Sequence, residues 1–411
     1  MHTVTPNGQA DAAAPLANVR ILTIEQMQAL PYATQLLGRL GADVIKIEPL
    51  TGDSGRGSLP AITDAQGRSC GATFLRNNFH KRSMAINLKE PAGRQLVLAL
   101  APGFDVVAEN SKPGALDRLG LGYSDIKAVH PSVIYASVSG FGNLGDSPYR
   151  TWPAFAPIVE AMSGIYEMKR ENDHPPTVSP VGALGDISAA LFATIGVLAA
   201  LRHRDRTGDG QYVDVAMLDS VIALTDIVMN FWSMGLTNGN TGPLINHGFR
   251  ASDGWFIMQV AREAHFERLA RVVGHPEWIS DPRLAARKGW LDHLDGVLRP
   301  AIEGWAQDKT RDEVCRLLSQ EGVAAGPCLR DAEVVAEAHV RARNMVSKIE
   351  QLDGSGPPVL VPGNPIKLSG MSGLAESQVP TLGQHTDQVL ADELGLSASE
   401  IGALRSSNII G

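Results

Sequence analysis

Apolar and polar positions alternate in blocks along the first half of the chain. Five mainly apolar runs predict buried strands, at residues 19–24, 41–49, 83–88, 105–110 and 133–142. Helical patterns lie between them, the clearest at residues 31–40 and 90–101. Strands that alternate with helices predict an α/β fold with a mostly parallel, Rossmann-like sheet. Ligands bind such sheets beyond the carboxyl ends of the strands, so we expect the site in the loops that follow these runs.

The pattern changes in the second half. A strand at residues 210–217 and an apolar helix at 218–234 lead into a glycine- and asparagine-rich segment at 237–248. A further strand at 254–261 and several amphipathic helices, ending near 322–327, indicate a smaller α+β unit. A proline- and glycine-rich stretch and a final pair of helices follow.

Composition narrows the class of protein. The 411 residues are 44% hydrophobic and 19% charged, as in soluble globular proteins, and a net charge of −8 argues against nucleic-acid binding. Three cysteines without a CxxC spacing fit reduced thiols, and the N-terminus lacks the pattern of a signal peptide. The longest apolar run, residues 189–201, is shorter than the roughly 20 residues of a membrane span. We therefore predict a cytoplasmic protein that binds neither membrane nor nucleic acid.

Three common active-site motifs are missing. The loop after the first strand reads EQMQALPYATQLLG (residues 25–38) and has no G-x-G-x-x-G to approach a dinucleotide pyrophosphate. The eleven histidines show no H-x-x-x-H or H-E-x-x-H spacing for a metal ion. No G-x-S-x-G occurs in a strand-turn-helix setting. We therefore expect no nicotinamide cofactor, no metal site and no serine-hydrolase chemistry.

Basic residues cluster around one predicted strand. The segment HKRSMAINLKEP (residues 80–91) carries Lys81, Arg82 and Lys89, and Arg118 follows in ENSKPGALDRLGLGY. Cations at the edge of an α/β sheet can bind phosphates. Solvated surface charge explains the same pattern equally well, so the cluster alone leaves both interpretations open.

Asp186 stands near the start of the most apolar segment, GALGDISAALFATIGVLAALRHR (residues 182–204). A carboxylate at a helix N-terminus is stabilised by the free N–H groups and the helix dipole. Basic residues followed by Gly208 support a helix end downstream. The same placement suits a nucleophile, because those N–H groups keep a carboxylate ionised and can stabilise a neighbouring oxyanion. The pattern fits a helix cap and a nucleophile alike.

Taken in order, the motifs resemble the class III CoA-transferases, the family of formyl-CoA:oxalate and carnitine CoA-transferases, which includes the α-methylacyl-CoA racemases. The resemblance covers residues 16–411. It rests on the order and spacing of LLGRLGADVIKIEP, HKRSMAINLK, VVAENSKPGALDRLGLGY, GALGDISAALFATIGVLAALRHRDRTGDGQYVDVAM, GVAAGP and LGQHTDQVLADELGLSASEI.

This resemblance implies an enzyme that moves CoA from an acyl-CoA thioester to a carboxylic acid acceptor through an aspartyl-CoA thioester. It implies CoA thioesters as substrates, no tightly bound cofactor, and an interlocked homodimer of ring-like chains. The domains that it implies are a tail at 1–15, a large CoA-binding domain at 16–217 completed by 345–411, a small domain at 246–330, and linkers at 218–245 and 331–344.

Carried over position by position, the resemblance puts the catalytic aspartate at Asp186. It puts the contacts with CoA at Gln28, Ile86, Lys89, Asn110, Ser111 and Arg118. A mobile glycine-rich loop over the active site corresponds to the segment that holds Gly239 and Gly242.

Three residues depart from the family pattern around CoA. Pro49 stands where some members carry an arginine, so one phosphate contact is absent or is supplied elsewhere. His80 replaces the usual asparagine before the KRS motif. Ser111 replaces a common phenylalanine that packs on the adenine.

Two further departures bear on the reaction. Phe155 and Ala156 occupy the positions of the racemases' histidine–aspartate pair, which favours transfer over racemisation. Ala156 also replaces an aspartate that many transferases keep, which suggests altered acceptor binding. A racemase of α-branched acyl-CoAs and a non-catalytic CoA-binding subunit of a heteromeric transferase are the alternatives.

Overall fold

The structure is a computed structural model that describes residues 14–168, 170, 174–236, 242–371 and 376–411. The chain divides into two units. The first comprises the residues up to Val228 together with Ala342–Gly411, and the second is Met229–Arg341. Domain bounds finer than these two breaks stay predictions.

Strands and helices alternate through the first unit. The strands of the described residues are β1 (Arg20–Ile24), β2 (Asp43–Glu48), β3 (Ala61–Thr63), β4 (Ser69–Gly71), β5 (Lys81–Ala85), β6 (Val106–Glu109), β7 (Ile134–Ser139), β8 (Tyr212–Ala216), β9 (Ile245–Ala251), β10 (Gly254–Val260), β11 (Ala324–Pro327), β12 (Val346–Ile349) and β13 (Val359–Pro362). The α-helices are α1 (Ala29–Arg39), α2 (Ala72–Asn77), α3 (Pro91–Leu100), α4 (Tyr123–Val129), α5 (Ala156–Met162), α6 (Leu184–Thr207), α7 (Met217–Ala223), α8 (Glu263–Val272), α9 (Arg287–Asp292), α10 (Arg299–Ala306), α11 (Arg311–Gln320), α12 (Asp331–Ala336), α13 (Ala338–Ala342), α14 (Thr386–Leu394) and α15 (Ala398–Ser406).

The first unit is built on a six-stranded parallel sheet. Its strand order is β5-β2-β1-β6-β7-β8, and every neighbouring pair is parallel. Counted within this sheet alone, the order is 3-2-1-4-5-6, that of doubly wound Rossmann folds, and the direction of winding reverses between β1 and β6. The predicted α/β fold with a mostly parallel sheet is confirmed.

Helices cover both faces of this sheet. Successive strand residues point to opposite sides, so neighbouring residues join different cores. Ile21 joins a core with α1 and α6 on one face. Its neighbour Leu22 joins a core with α3, α14 and α15 on the other face. The C-terminal helices therefore complete the core of the first unit.

Between its charged ends, the long helix α6 carries apolar residues on both its buried and its exposed sides. It ends at Gly208, whose φ of 81° gives the left-handed C-terminal turn that glycine favours. Ala189, Ala193 and Val197 are buried, whereas Leu191 and Ile195 lie exposed. By length and composition alone α6 could cross a membrane, and half of its most apolar window is buried within the fold.

The second unit has a three-stranded antiparallel sheet in the order β11-β10-β9. Phe249 and Phe256 from this sheet pack in a core with Trp290 and Leu298 from the surrounding helical segments.

Two predicted elements have different bounds. The strand predicted at 83–88 is β5, which ends at Ala85 because its partner β2 ends opposite at Glu48, before a proline that has no N–H to donate. The helix predicted at 218–234 is interrupted, since α7 ends at Ala223 and a π-helical segment follows at Ile227–Phe231. There the Thr225 hydroxyl accepts a hydrogen bond from the N–H of Ile227 at 3.1 Å, a local turn that competes with the helix.

Candidate active site

The predicted site residues follow the carboxyl ends of three strands. Gln28 follows β1, Ile86 and Lys89 follow β5, and Asn110 and Ser111 follow β6. Helix α6 connects the parallel strands β7 and β8, so it runs back along the sheet and begins at this same edge. The fold therefore brings the start of α6 to the edge where ligands of doubly wound sheets bind.

Asp186 is the third residue of α6 and is not its N-cap. The N-cap is Ala183, which makes no side-chain hydrogen bond. Within the described residues no hydrogen bond reaches the Asp186 carboxylate, so it is not a hydrogen-bonding cap, although it lies in the first turn of α6. Gly185 lets α5 approach closely here, because a Cβ at that position would lie 2.8 Å from Val159 Cγ2 and 3.1 Å from Ala156 Cα.

Asp186 has an unusually high pKa for a carboxyl group in the first turn of a helix. Burial, and then the charge of Glu160, raise its pKa from 3.8 to about 6. The carboxylate is therefore ionised at neutral pH, yet more basic than an ordinary aspartate.

Glu160 is a residue that the sequence reasoning missed. Its side chain is 0% exposed on α5. Its Oε1 accepts a hydrogen bond from the N–H of Gly185 at 3.0 Å, and its Oε2 accepts one from the Tyr166 hydroxyl. The available signal was a single acid within the apolar helix APIVEAM. The structure thus brings two carboxylates together at the start of α6.

Two hydrogen bonds join Asn110, after β6, to the loop after β1. They link the two strands between which the sheet reverses its winding. The Asn110 Oδ1 accepts from the N–H of Gln26, and its Nδ2 donates to the Gln26 carbonyl, both at 2.9 Å. Ser111 is fixed in turn by Glu109, whose Oε2 accepts from its N–H at 2.7 Å. Gln28 lies half-buried at the start of α1.

One residue of this loop has a strained backbone conformation, which hydrogen bonds stabilise. Met27 has a φ of 65°, in the left-handed region that non-glycine residues rarely adopt. Its N–H donates to Asp53 Oδ1 at 3.0 Å, and Asp53 Oδ2 lies 2.7 Å from Lys46 Nζ. The Lys46 Nζ also donates to the Glu25 carbonyl at 3.1 Å. Charged groups beneath the loop therefore hold the chain that leads to Gln28.

We call these groups the buried charge network, comprising Glu25, Lys46, Glu48, Asp53, Arg56 and Lys81, all buried. Arg56 binds Glu48 through two contacts of 2.7 Å. Lys81 donates to Glu25 Oε1 at 2.6 Å. Three acids thus face three bases, so the network is neutral.

The basic cluster divides into two internal and two exposed residues. Lys81 is buried in the network, and Arg82 pairs with Asp43 at 2.6 Å, so neither is free to bind phosphate as the cluster had suggested. Lys89 and Arg118 are exposed, on segments that follow β5 and β6. These two remain as cations for a phosphorylated ligand. Ile86 has a fully buried side chain, and its N–H donates to the backbone carbonyl of Glu48 at 2.9 Å, so only its carbonyl is open to a ligand.

Other predicted positions fall elsewhere. His80 precedes β5, at the amino edge of the sheet, and pairs with Glu376 at 3.2 Å. Gly242 has a φ of 84° and lies in the second unit, and Gly239 lies outside the described residues. Phe155 is 70% exposed at the N-cap of α5, whereas Ala156 is buried.

A cavity of about 670 Å³ lies beside Tyr166, the residue that bonds to Glu160. Its lining combines apolar side chains, among them Ile165 and Met168, with the cationic Arg170 and with His174.

Comparison with known proteins identifies the family of this chain. Residues 16–386 match the CoA-transferase family III. The chain is 34% identical over 405 residues to the succinyl-CoA–L-malate CoA-transferase beta subunit of Chloroflexus aurantiacus, covering 96% of this chain and 98% of the relative. It is 32% identical over 419 residues to the formyl-CoA:oxalate CoA-transferase of Streptomyces avermitilis, covering 96% and 99%. A CAIB/BAIF family protein from Brucella suis superposes with a TM-score of 0.80 at 32% identity, covering 92% of this chain and 99% of that one. The chain belongs to the CoA-transferase family III and is a CoA-transferase that acts on CoA thioesters.

Proposed function

We propose that the chain transfers CoA from an acyl-CoA to a carboxylic acid through a thioester formed on Asp186. The observation that carries this proposal is the Asp186 carboxylate itself. It lies at the carboxyl edge of the sheet, is free of hydrogen bonds within the described residues, and has a pKa raised to about 6. A carboxylate that is ionised but not stabilised by donors is a strong nucleophile for its class.

The reaction begins when an Asp186 oxygen attacks the thioester carbonyl, which forms a mixed anhydride and releases CoA thiolate. The thiolate attacks the aspartyl carbonyl, which forms the aspartyl-CoA thioester and releases the first carboxylate. The acceptor carboxylate then attacks this thioester, giving a second anhydride and thiolate. Attack of the thiolate on the acceptor's acyl carbonyl releases the new acyl-CoA and restores Asp186. The anhydride conserves the energy of the thioester, so water must be kept out of the site.

We propose that CoA lies along the edge formed by the loops after β1, β5 and β6. Lys89 and Arg118 supply exposed positive charge for its phosphates. Gln28, Asn110, Ser111 and the main chain of Ile86 line the same edge, and their hydrogen bonds within the protein fix the loops in place. The segment holding Gly239 and Gly242 is proposed as the loop that covers the site.

Lys89→Ala and Arg118→Ala are each expected to raise KM for acyl-CoA about 10-fold or more, because a charge-assisted contact with phosphate is lost. The kcat should change little, since neither residue touches the reacting atoms. Lys127→Ala is the matched control, an exposed lysine in the last turn of α4. Steady-state kinetics at two salt concentrations measure the effect, and unchanged KM values in both variants would contradict the proposed phosphate contacts.

The acceptor is proposed to be a short dicarboxylic acid. The names of two relatives, which specify L-malate and oxalate, support this class. A second carboxylate would lie in the cavity beside Tyr166, whose lining includes Arg170, and would share that guanidinium with Glu167, which pairs with it at 2.6 Å.

Covalent trapping tests the proposed intermediate. The purified chain is incubated with succinyl-CoA or acetyl-CoA, treated with borohydride or hydroxylamine, and digested for peptide mass spectrometry. We expect a modification on Asp186 only when the thioester is present. An unmodified Asp186 together with exchange of an α-proton into solvent would instead indicate a racemase. If no modification and no exchange are detected, the result favours a non-catalytic CoA-binding subunit. This alternative is kept because a relative is named as a subunit.

We further propose an interlocked homodimer in the cytoplasm. Leu191 and Ile195 are 43% and 60% exposed on α6, and with exposed Phe155 and Ile158 on α5 they leave an apolar surface that a second copy would cover. The free thiols of Cys70, Cys315 and Cys328 support a reducing compartment.

A further inference from the structure

Glu160 is a buried carboxylate that the proposed reaction does not use. It is fully buried on α5, and no cation pairs with it among the residues that the structure describes. Its two oxygens instead accept hydrogen bonds from the Gly185 N–H and the Tyr166 hydroxyl. A buried acid without a counter-ion costs free energy of folding, so its presence beside a reacting group calls for a reason.

The position of Glu160 beside the start of α6 explains its effect on Asp186. Gly185 and Asp186 are the second and third residues of α6, and their N–H groups are among the free donors of the helix start. Glu160 occupies one of these donors from outside the helix. Asp186 therefore shares the anion-stabilising end of α6 with a second carboxylate and has no hydrogen bond of its own in the described residues.

We propose that Glu160 is a positioning residue that favours the acylated form of Asp186 over its free carboxylate. This inference rests on the proposed function. Two neighbouring negative charges repel each other, and acylation removes the charge of Asp186 while that of Glu160 remains. The repulsion is therefore relieved whenever the anhydride or the aspartyl-CoA thioester forms, which shifts the equilibrium toward the covalent enzyme. The raised pKa of Asp186, to which Glu160 contributes after burial, is the effect of the same repulsion on protonation.

Among the residues that the structure describes, few titratable groups lie around Glu160. Tyr166 faces it from the segment after α5, and Asp186 faces it from α6. Beyond Tyr166, the cavity adds His174 and Arg170, and Arg170 pairs with Glu167 at 2.6 Å. Burial and the hydrogen bond to Glu160 raise the pKa of Tyr166, so its hydroxyl remains a donor at neutral pH.

Glu160→Gln tests the inference because glutamine keeps the size and removes the charge. Its carbonyl oxygen can still accept from the Gly185 N–H, and its amide can donate to the Tyr166 oxygen. We expect the acidic limb of the kcat/KM profile, near pH 6 in the parent enzyme, to move lower by up to about one pH unit, because burial is the larger cause of the raised pKa of Asp186. We also expect the fraction of enzyme trapped as aspartyl-CoA, at a fixed ratio of succinyl-CoA to succinate, to fall by up to about 10-fold.

Tyr166→Phe is the matched control, since it removes a hydrogen bond but leaves both carboxylates. Its acidic limb should stay near that of the parent. A Glu160→Gln limb and trapped fraction equal to those of the parent would overturn the inference while leaving Asp186 as the nucleophile. If Glu160→Gln does not fold, Glu160→Met carries the same test, because methionine also fills the space without a charge: an acidic limb lower than that of the parent supports the inference, and an unchanged limb overturns it. Failure to trap any adduct on parent Asp186 would overturn the proposed function itself.

Discussion

Asp186→Asn is expected to lower the rate of CoA transfer by on the order of 10⁴-fold or more, because an amide cannot open the thioester as a carboxylate does. The side chain keeps nearly the same shape, and Asp186 makes no hydrogen bond within the described residues that the amide would break. The loss should fall on kcat, with the KM for acyl-CoA nearly unchanged. Initial rates with succinyl-CoA and a dicarboxylic acid, followed by separation of the acyl-CoAs, measure it.

The same variant should be more stable than the parent protein at pH 8. The folded-state pKa of Asp186 lies above its ordinary value of 3.8, at about 6, so ionisation of this group costs the folded state free energy. That cost is absent below about pH 4, grows between about pH 4 and 6, and is complete above. Asparagine avoids it, so we expect the free energy of unfolding to rise by up to about 3 kcal/mol at pH 8 and to be unchanged near pH 4. A structural cap would behave in the opposite way and lose about 1 kcal/mol.

Asp205→Asn is the matched control, an exposed aspartate in the last turns of the same helix. It should change neither transfer nor stability appreciably. Transfer by Asp186→Asn at a rate near that of Asp205→Asn would remove Asp186 from the mechanism.

Lys81→Met is expected to destabilise the first unit by about 3–5 kcal/mol, because it removes one base from the buried charge network. The Lys81 ammonium donates to Glu25, to the Pro31 carbonyl at 2.8 Å and to Asn78 at 3.0 Å. Methionine fills the space but leaves these acceptors buried. It also leaves Glu25 with Lys46 alone, at 3.5 Å. Urea unfolding monitored by circular dichroism measures the change.

A second substitution separates charge from packing. Glu25→Gln combined with Lys81→Met leaves two acids facing two bases, so the network is neutral again. We expect the double variant to recover a large part of the lost stability. Arg68→Met, which breaks an ion pair of 2.7 Å on a side chain that is 42% exposed, should cost no more than about 1 kcal/mol. A double variant as unstable as Lys81→Met would show that the packing of Lys81, and not its charge, is what the fold requires.

Local periodicity predicted the fold of the first unit well. The strand after residue 19, the helix that follows it and the strand that ends at Glu48 all lie within a few residues of their predicted bounds. The helix predicted at 218–234 is interrupted between α7 and a π-helical segment at Ile227–Phe231, where the Thr225 hydroxyl accepts a hydrogen bond from the backbone. Hydrophobic periodicity carries no information on such a turn.

The candidate site was only partly predictable. Asp186 stands out because an acid at the head of an apolar helix is visible in the sequence alone. The role of Lys81 was not predictable from the sequence, because the KRS motif is typical of surface charge unless the strand order is known. Lys81 starts β5, and β5 and β1 both flank β2, which brings its side chain to Glu25, 56 residues away.

What the sequence determined by itself is the alternation of strands and helices, the apolar helix α6 and the acid near its start. These follow from the repeat of backbone geometry, in which burial alternates every second residue in a strand and returns every three to four in a helix. Only the tertiary structure decided which charges meet. Strand order set Lys81 against Glu25, and the close approach that Gly185 permits set Glu160 against the first turn of α6. Such pairs join residues far apart in the chain, and a buried charge is tolerated only where the fold supplies its partner.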